Sequence, residues 1–212
     1  MKGVTFGSYH SYEYFGLVRE KMTIGVPEIK TEEIDIPGAD GTLDLTEAFG
    51  EPKYGNRTLS FSFGKVGTTA EQLEHVSAIR DILHGRKKKI AIDEDGGLYY
   101  MGRIAVGDWT RELVEKITIT CDCEPWKYKE SITTVTQAVS GSAVITLHNL
   151  RKTVIPTITV DAEMSLAWNG HSASLSSGAD QIIESLVLYQ GDTEITVTGT
   201  GNITFKYQEA GL

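Results

Sequence analysis

One segment of this 212-residue chain has the apolar spacing of a helix, and this constrains the fold class more than any other feature. Five large apolar residues recur there at intervals of three and four: Leu73, Val76, Ile79, Ile82 and Leu83. The spacing predicts an amphipathic helix over residues 70–84, ended by Gly85. Elsewhere, short stretches alternate apolar and polar residues and end at Gly, Asn, Asp or Pro. We therefore expect a mainly β protein whose helix packs on a sheet by one face.

The predicted strands fall into two groups. The first covers residues 17–24, 30–36, 58–63, 89–92, 98–106 and 113–123, and residues 124–126 interrupt the pattern after it. The second covers residues 142–148, 154–160, 165–168, 182–189, 194–198 and 202–207, with Gly-containing turns between them, among them residues 199–201. Short strands in series without a helix are typical of a β-sandwich or jelly roll. We expect two domains, 1–130 with the helix and 131–212 as a β-sandwich.

Residues 37–63 are specific in sequence but carry none of the groups that catalysis needs. Asp40-Gly41 predicts a tight turn, and residues 58–63 alternate as a half-buried strand. The polar stretch between them predicts an extended arm or hairpin that contacts another subunit. The candidate contact residues are Asp40, Gly41, Leu43, Leu45, Phe49, Tyr54 and Arg57. For Leu43 and Leu45, simple core packing is an equally good interpretation.

The composition argues against several classes of protein. A net charge of -9 does not suit a general nucleic-acid binder, and the basic run at residues 86–89 suits the C-terminal end of the predicted helix. Cys121 and Cys123 lie on one face of a strand, which favours buried, reduced thiols. No apolar run has the length of a membrane helix, and the N-terminus lacks a signal peptide. We expect the protein in the cytoplasm, or exported by a route other than secretion.

The motifs of enzymes and metal sites are missing from the sequence. There is no phosphate-binding glycine loop, nucleophile elbow or HExxH, and the acidic residues 93–97 lack calcium-loop spacing, so a hairpin turn explains them better. We predict no enzymatic activity, no cofactor and no metal.

The candidate carbohydrate contacts are Trp168, Asn169 and His171, although a tryptophan at a strand end is more often part of the core.

The sequence resembles the distal tail protein (Dit) family of long-tailed phages and of related tail-like particles of Gram-positive bacteria. At the front the matching segments are FGSYHS (6–11), FGL (15–17), IG (24–25), PE (27–28), IPGADG (36–41), LDLTE (43–47) and YGNR (54–57). At the end they are GDTEITV (191–197), GTG (199–201) and FKY (205–207). The resemblance therefore spans both expected domains.

This resemblance implies a β-sandwich with one helix and a protruding hairpin, followed by a galectin-like sandwich. It implies a homo-hexameric ring at the virion tail tip, assembled in the host cytoplasm. Its partners would be the tail tube protein, the tape-measure protein, the tail-tip (tail-associated lysin) protein and receptor-binding proteins, with no membrane and no specific nucleic acid.

Two features of the chain depart from the family. The chain is short for a member, and the sugar-binding motif of galectins is not recognisable at His148, Asn149 or Trp168. A carbohydrate-binding adsorption module is the alternative function.

Overall fold

The structure, a computed structural model, describes residues 2–48, 50–66, 69–110 and 114–212. In these residues the protein is mainly β with one helix and curled sheets. The chain divides into two compact units, one that reaches Lys127 and includes Leu212, and one formed by Tyr128–Gly211. We describe each unit separately.

The first unit is built on a curled sheet that carries the helix and a separate hairpin. Its elements are β1 (Val4–Phe6), β2 (Tyr9–His10), β3 (Val18–Ile24), β4 (Ile29–Lys30), β5 (Glu33–Asp35), β6 (Thr42–Asp44), β7 (Lys53–Tyr54), β8 (Arg57–Val66), α1 (Thr69–Leu83), β9 (Lys87–Ile92), β10 (Leu98–Thr110) and β11 (Val114–Lys129). The sheet order is β2-β1-β9-β10-β11-β8-β3, while β4 pairs with β7 and β5 with β6 in two small sheets. Three of the six neighbouring pairs in this order are consecutive in the chain, namely β1–β2, β9–β10 and β10–β11.

The core of the first unit lies between the sheet and α1. Leu59, Phe61 and Phe63 of β8 are fully buried, as their alternation predicted, and Phe6 meets Phe61 edge to face with ring centroids 5.9 Å apart. The helix buries Val76, Ile79 and Leu83 but leaves Leu73 half exposed, so its apolar stripe is shorter than the sequence suggested. Burial of such side chains is the main stabilising term of this unit.

The second unit is a six-stranded sheet with its own core. Its elements are β12 (Thr133–Asn149), β13 (Thr157–Val160), β14 (Met164–Trp168), β15 (His171–Leu175), β16 (Gly178–Ile182), β17 (Gly191–Tyr207) and β18 (Ala210–Gly211). The order is β15-β14-β17-β13-β16, and β12 pairs with the other edge of β17 along its whole length. Inward side chains of β14 and β17 such as Leu166, Ile195, Val197, Ile203 and Phe205 form the core. Next to β18, the Lys129 N–H donates to the Glu209 carbonyl at 3.0 Å.

Three strand predictions were wrong, for different reasons. β11 continues through residues 124–126, beyond the Cys123–Arg57 pair at which its pairing with β8 ends. The absent N–H of Pro125 therefore removes no bond between these two strands. Residues 183–189 form no regular strand, since Leu186 and Leu188 reach the core from a connecting segment. Residues 30–36 belong to two short strands, β4 and β5, rather than to one.

The predicted turn at residues 199–201 lies instead inside β17. Here β17 changes its partner, from β14, whose pairing ends at Gly199, to β13, whose pairing begins at Ile203. Asp161, in the connection between β13 and β14, accepts hydrogen bonds from the Asn202 backbone N–H (2.7 Å) and side-chain amide (2.8 Å). A Cβ atom on Gly201 would lie 2.1 Å from the Asp161 carboxylate, and the Gly201 φ is +148°. Position 201 therefore requires glycine, because the connection that contains Asp161 passes directly over it.

Gly201→Ala should lower the free energy of unfolding by about 1–3 kcal/mol, because the new methyl group displaces Asp161 and strains the backbone. Gly211→Ala is the matched control, since a Cβ atom there meets nothing within 4 Å. Urea unfolding of the intact chain measures both variants. Equal free energies of unfolding for the two variants would show that the space between residue 201 and Asp161 tolerates a side chain.

Candidate assembly surface

The arm, defined as residues 26–56, leaves the main sheet after β3 and returns to it at β8. Its two sides pair as an antiparallel hairpin, through Ile29–Tyr54 and Lys30–Lys53 near the base and Glu33–Asp44, Ile34–Leu43 and Asp35–Thr42 further out. At the base, the Gly55 N–H donates to the Glu28 carbonyl at 2.8 Å. The expected arm is thus a long two-stranded ribbon that pairs with itself.

The tip of the arm is a six-residue loop, because Asp35 and Thr42 are the last paired residues. The Ala39 N–H donates to the Ile36 carbonyl at 3.1 Å, and Gly38 has a φ of +88°. This arrangement, with Pro37 before the glycine, is typical of a type II turn. The predicted tight turn at Asp40-Gly41 is therefore wrong in its length, although Gly41 does adopt a positive φ.

Backbone and side-chain hydrogen bonds hold the middle of the arm together. The Leu45 N–H donates to the Glu32 carbonyl (2.7 Å), and the Glu32 N–H donates to the Thr46 hydroxyl (3.0 Å). Asp44 accepts the Thr46 N–H at 2.8 Å, and hydrogen bonds from Thr46 lower the pKa of Asp44. The arm therefore has a defined conformation between its two paired segments, and Asp44 is ionised at neutral pH.

The outer part of the arm is exposed on both faces. Every residue from 31 to 44 is exposed, including the apolar side chains of Ile34 (47%), Ile36 (45%) and Leu43 (47%). A two-stranded ribbon has no second layer to cover such side chains, and an isolated hairpin is only marginally stable. Exposed apolar groups on a ribbon of this kind make the arm a candidate interaction surface.

The arm accounts for two thirds of the net negative charge of the chain. Residues 26–56 contain eight Asp or Glu and two Lys, a net charge of -6, whereas the whole chain has -9. This density of carboxylates keeps the exposed apolar groups from non-specific association and favours a partner surface that is basic.

The seven predicted contact residues lie at different depths along the arm. Asp40, Gly41 and Leu43 are exposed at and beside the tip, and Leu45 is half-buried. Leu43 is thus no core residue of the isolated chain. Phe49 lies outside the described residues. Tyr54 at the base packs edge to face on Trp126, with ring centroids 5.6 Å apart.

Arg57, the seventh predicted contact, is buried at the base of the arm with an exposed fraction of 6%. Its Nε donates to the Gly25 carbonyl at 2.9 Å and a terminal nitrogen donates to the Pro125 carbonyl at 3.3 Å. Its guanidinium lies 5.4 Å from the centre of the Tyr100 ring. Arg57 therefore fixes the root of the arm to the main sheet, a role that its sequence position alone did not reveal.

Arg57→Ala should destabilise the first unit by about 2–4 kcal/mol, since it leaves two carbonyls without their donor and removes the contact with Tyr100. Asp40→Ala, at the exposed tip, is the control and should change stability by no more than about 0.5 kcal/mol. Thermal and urea unfolding compare the two. An unchanged midpoint in Arg57→Ala would contradict the anchoring role.

The acidic segment between β9 and β10 is engaged with basic groups of the same unit. Asp93 accepts the Gly3 N–H (2.6 Å) and contacts His10 (3.1 Å), Glu94 pairs with Arg19, and Asp95 pairs with Lys127 at 3.0 Å. Among the described residues no group of three or more candidate ligands could hold a metal ion. This segment is a hairpin connection, as expected.

The two cysteines are both buried on the inner face of β11. Burial raises the pKa of both thiols, that of Cys123 to about 12, so they remain protonated and unreactive.

In the part of the chain that the structure describes, no helix combines the length and apolar character that crossing a membrane requires.

The candidate carbohydrate contacts lie at the hairpin between β14 and β15. Asn169 and Gly170 form its two-residue turn with positive φ angles, and the Trp168 and His171 rings stack with centroids 5.9 Å apart. Trp168 is only 4% exposed and belongs to the core of the second unit. Its ring face is therefore not presented to a ligand, while Asn169 and His171 are exposed.

Comparisons with known proteins give one informative result. No protein-family model matches the sequence, and no curated protein matches it either. Among solved structures, the fold is similar to the crystal structure of the Dit protein (gp 19.1) of phage SPP1, with a TM-score of 0.71 and 17% identity. The similarity covers 98% of this chain and 99% of that one. SPP1 Dit is described as a paradigm of the hub adsorption apparatus in phages that infect Gram-positive bacteria. This protein has the two-domain β fold of SPP1 Dit.

Proposed function

We propose that the protein is a structural hub at the tail tip of a phage or phage-like particle. The observation that carries this proposal is the similarity in fold to SPP1 Dit, which extends over nearly the full length of both chains. Fold alone does not specify function, so the proposal also rests on the arm, a surface suited to assembly and to no catalytic chemistry. The motifs that resemble the distal tail protein family lie partly on this arm.

In the proposed role, six copies form a ring that joins the tail tube to the tail tip. The arm of each copy contacts the next copy and covers the apolar side chains that are exposed in the isolated chain. Such a contact joins two different surfaces, so it has no two-fold axis of its own. Repeated by rotation from copy to copy, it closes into a ring. The tape-measure, tail-tip and receptor-binding proteins are the proposed neighbours of this ring in the virion.

The proposed role requires no catalysis. The acidic loop after β9 is neutralised by basic neighbours, and the two thiols are buried and protonated. A carbohydrate-binding role is not proposed, since its one aromatic candidate, Trp168, is a core residue.

Negative-stain electron microscopy of the purified protein tests the hub directly. We expect six-fold rings, together with a particle mass by light scattering that corresponds to six copies of the 23.2-kDa chain. A monomer that persists at high protein concentration, and that also fails to join tail-tube or tail-tip proteins, would refute the proposal.

A further inference from the structure

A groove lies at the C-terminal end of α1, on the first unit. It has a volume of about 750 Å³ and is lined by Arg80, Asp81, His84, Gly85, Arg86, Val106 and Asp108. The Val106 N–H donates to His84 Nδ1 at 3.1 Å, and the Gly85 N–H donates to the Ile104 carbonyl at 2.8 Å. These hydrogen bonds between the helix end and β10 therefore fix the walls of this groove.

Three exposed arginines surround the groove with unused hydrogen-bond donors. Arg80 donates one bond to the Gly107 carbonyl (3.0 Å), and Arg103 donates one to the Gly85 carbonyl (2.7 Å). Within the described part of the chain, Arg86 makes no side-chain hydrogen bond and none of the three pairs with a carboxylate. Since a guanidinium has five N–H donors, most of their binding capacity faces solvent.

The basic character of this surface extends from the groove onto the sheet. Lys87 stands opposite Arg103 in the β9–β10 ladder and pairs with Glu124 at 2.7 Å, and Lys89 lies over the Tyr99 ring. Cations near a helix C-terminus stabilise the helix, which accounts for one or two basic residues here. It does not account for the basic side chains that continue along β9 and β10, away from the helix end.

The groove and the arm lie on different parts of the unit. The arm leaves from β3 and β8 at one edge of the sheet, whereas the groove adjoins β10, and β11 lies between β10 and β8. A contact between the arm of one copy and the groove of the next is therefore heterologous, the type that closes into a ring. At about 3.3 Å per residue, the ten residues from 26 to 35 give the arm a reach of about 30 Å.

We propose that this groove, with the arginines on and beside it, receives the acidic arm of a neighbouring copy of this chain. This inference rests on the proposed hub function and adds the surface that the arm binds. The carboxylates of Glu32, Glu33, Asp35 and Asp44, on the outer paired part of the arm, bind the free guanidinium donors of Arg80, Arg86 and Arg103. Carboxylate and guanidinium groups match in two-pronged geometry, which fixes orientation as well as charge.

The acidic residues of the groove also favour this occupant. Asp81 and Asp108 line the groove beside the arginines and repel a ligand that is uniformly anionic, such as a nucleic-acid backbone. The arm is mainly acidic but carries Lys30 and Lys53 at its base. Lys30, two residues before Glu32, gives the arm a cation that can face Asp81 or Asp108, whereas a phosphate chain has none.

A charge-exchange experiment tests the proposal. The groove variant carries Arg86→Glu and Arg103→Glu, and the arm variant carries Glu32→Lys, Glu33→Lys and Asp35→Lys. Each alone should weaken ring assembly at least about tenfold in the protein concentration it requires, because like charges then face each other. Equal mixtures should restore rings, since copies of the two kinds can alternate around a six-membered ring with opposite charges at every contact. Light scattering and electron microscopy measure assembly.

The controls separate this proposal from the hub function. Glu163→Lys with Glu184→Lys reverses exposed charges on the second unit and should leave assembly unchanged. Single Arg86→Glu keeps the test valid if Arg103→Glu unfolds the chain, since the Arg86 side chain supports no described contact. Rings in the wild type that persist unchanged in both charge variants would overturn the groove assignment and leave the hub function standing. Absence of rings in the wild type would overturn the hub function itself.

Discussion

Replacing residues 31–52 by an Asn-Gly turn is expected to abolish ring formation while the first unit stays folded. The shortened hairpin keeps the Lys30–Lys53 pair, which a two-residue turn of this sequence can close. None of the removed residues that the structure describes is buried, so the free energy of unfolding should change by less than about 1 kcal/mol. Assembly should weaken at least about 100-fold, because the central contact surface is lost. Light scattering and thermal unfolding measure the two effects.

A second deletion shows which part of the arm binds. Replacing the tip, residues 36–41, by Asn-Gly retains β5 and β6 and all but one of the arm carboxylates. This variant should still form rings if the paired part of the arm makes the contact. Normal rings from the larger replacement would contradict the role of the arm, whereas loss of rings from the tip variant alone would transfer that role to Asp40 and its neighbours.

The sequence predicted the arm in part because its tip has strong turn residues and its return strand enters the core. Residues 58–63 alternate apolar and polar side chains since β8 has one buried face, and such a strand is recognisable without a structure. The outgoing side, from Ile29 to Asp35, is exposed on both faces. No periodicity distinguishes such a segment from an ordinary strand, so its pairing with β6 and β7 could not be predicted.

The receiving groove was visible in the sequence only as the basic run at residues 86–89. Interpreted as a solvated helix end, this run gave no reason to connect it with Arg80 or Arg103, which the fold brings to the same place. Arg57 was predicted as a contact from its position beside the arm, and its burial could not be predicted. That burial depends on the Gly25 and Pro125 carbonyls that tertiary structure places around it.

The second unit shows why apolar alternation alone does not define a strand. Leu186 and Leu188 are buried at alternate positions, as in a strand, but the backbone there makes only an isolated bridge between Val154 and Leu188. Their side chains complete the core from a connecting segment. Conversely, β17 runs through three residues that resemble a turn, because Gly199 and Gly201 accommodate the connection that crosses it.

Trp168→Ala should destabilise the second unit by about 3–5 kcal/mol, the usual cost of removing a large aromatic side chain from a core. Trp168 packs in the same buried cluster as Leu166, Leu175 and Ile195, and the surrounding strands cannot close a space of that size. His171→Ala is the matched control, because His171 is exposed and only stacks on the tryptophan. It should change stability by less than about 1 kcal/mol.

Stability and glycan binding measured on the same Trp168→Ala protein decide between a core residue and a sugar contact. Urea unfolding of the intact chain, followed by circular dichroism, gives the stability, and a cell-wall glycan array gives the binding. A large loss of stability means that any binding lost with it reflects unfolding of the sheet. A variant that keeps wild-type stability but loses glycan binding would instead show that the tryptophan contacts sugar, and the adsorption function would replace the purely structural one.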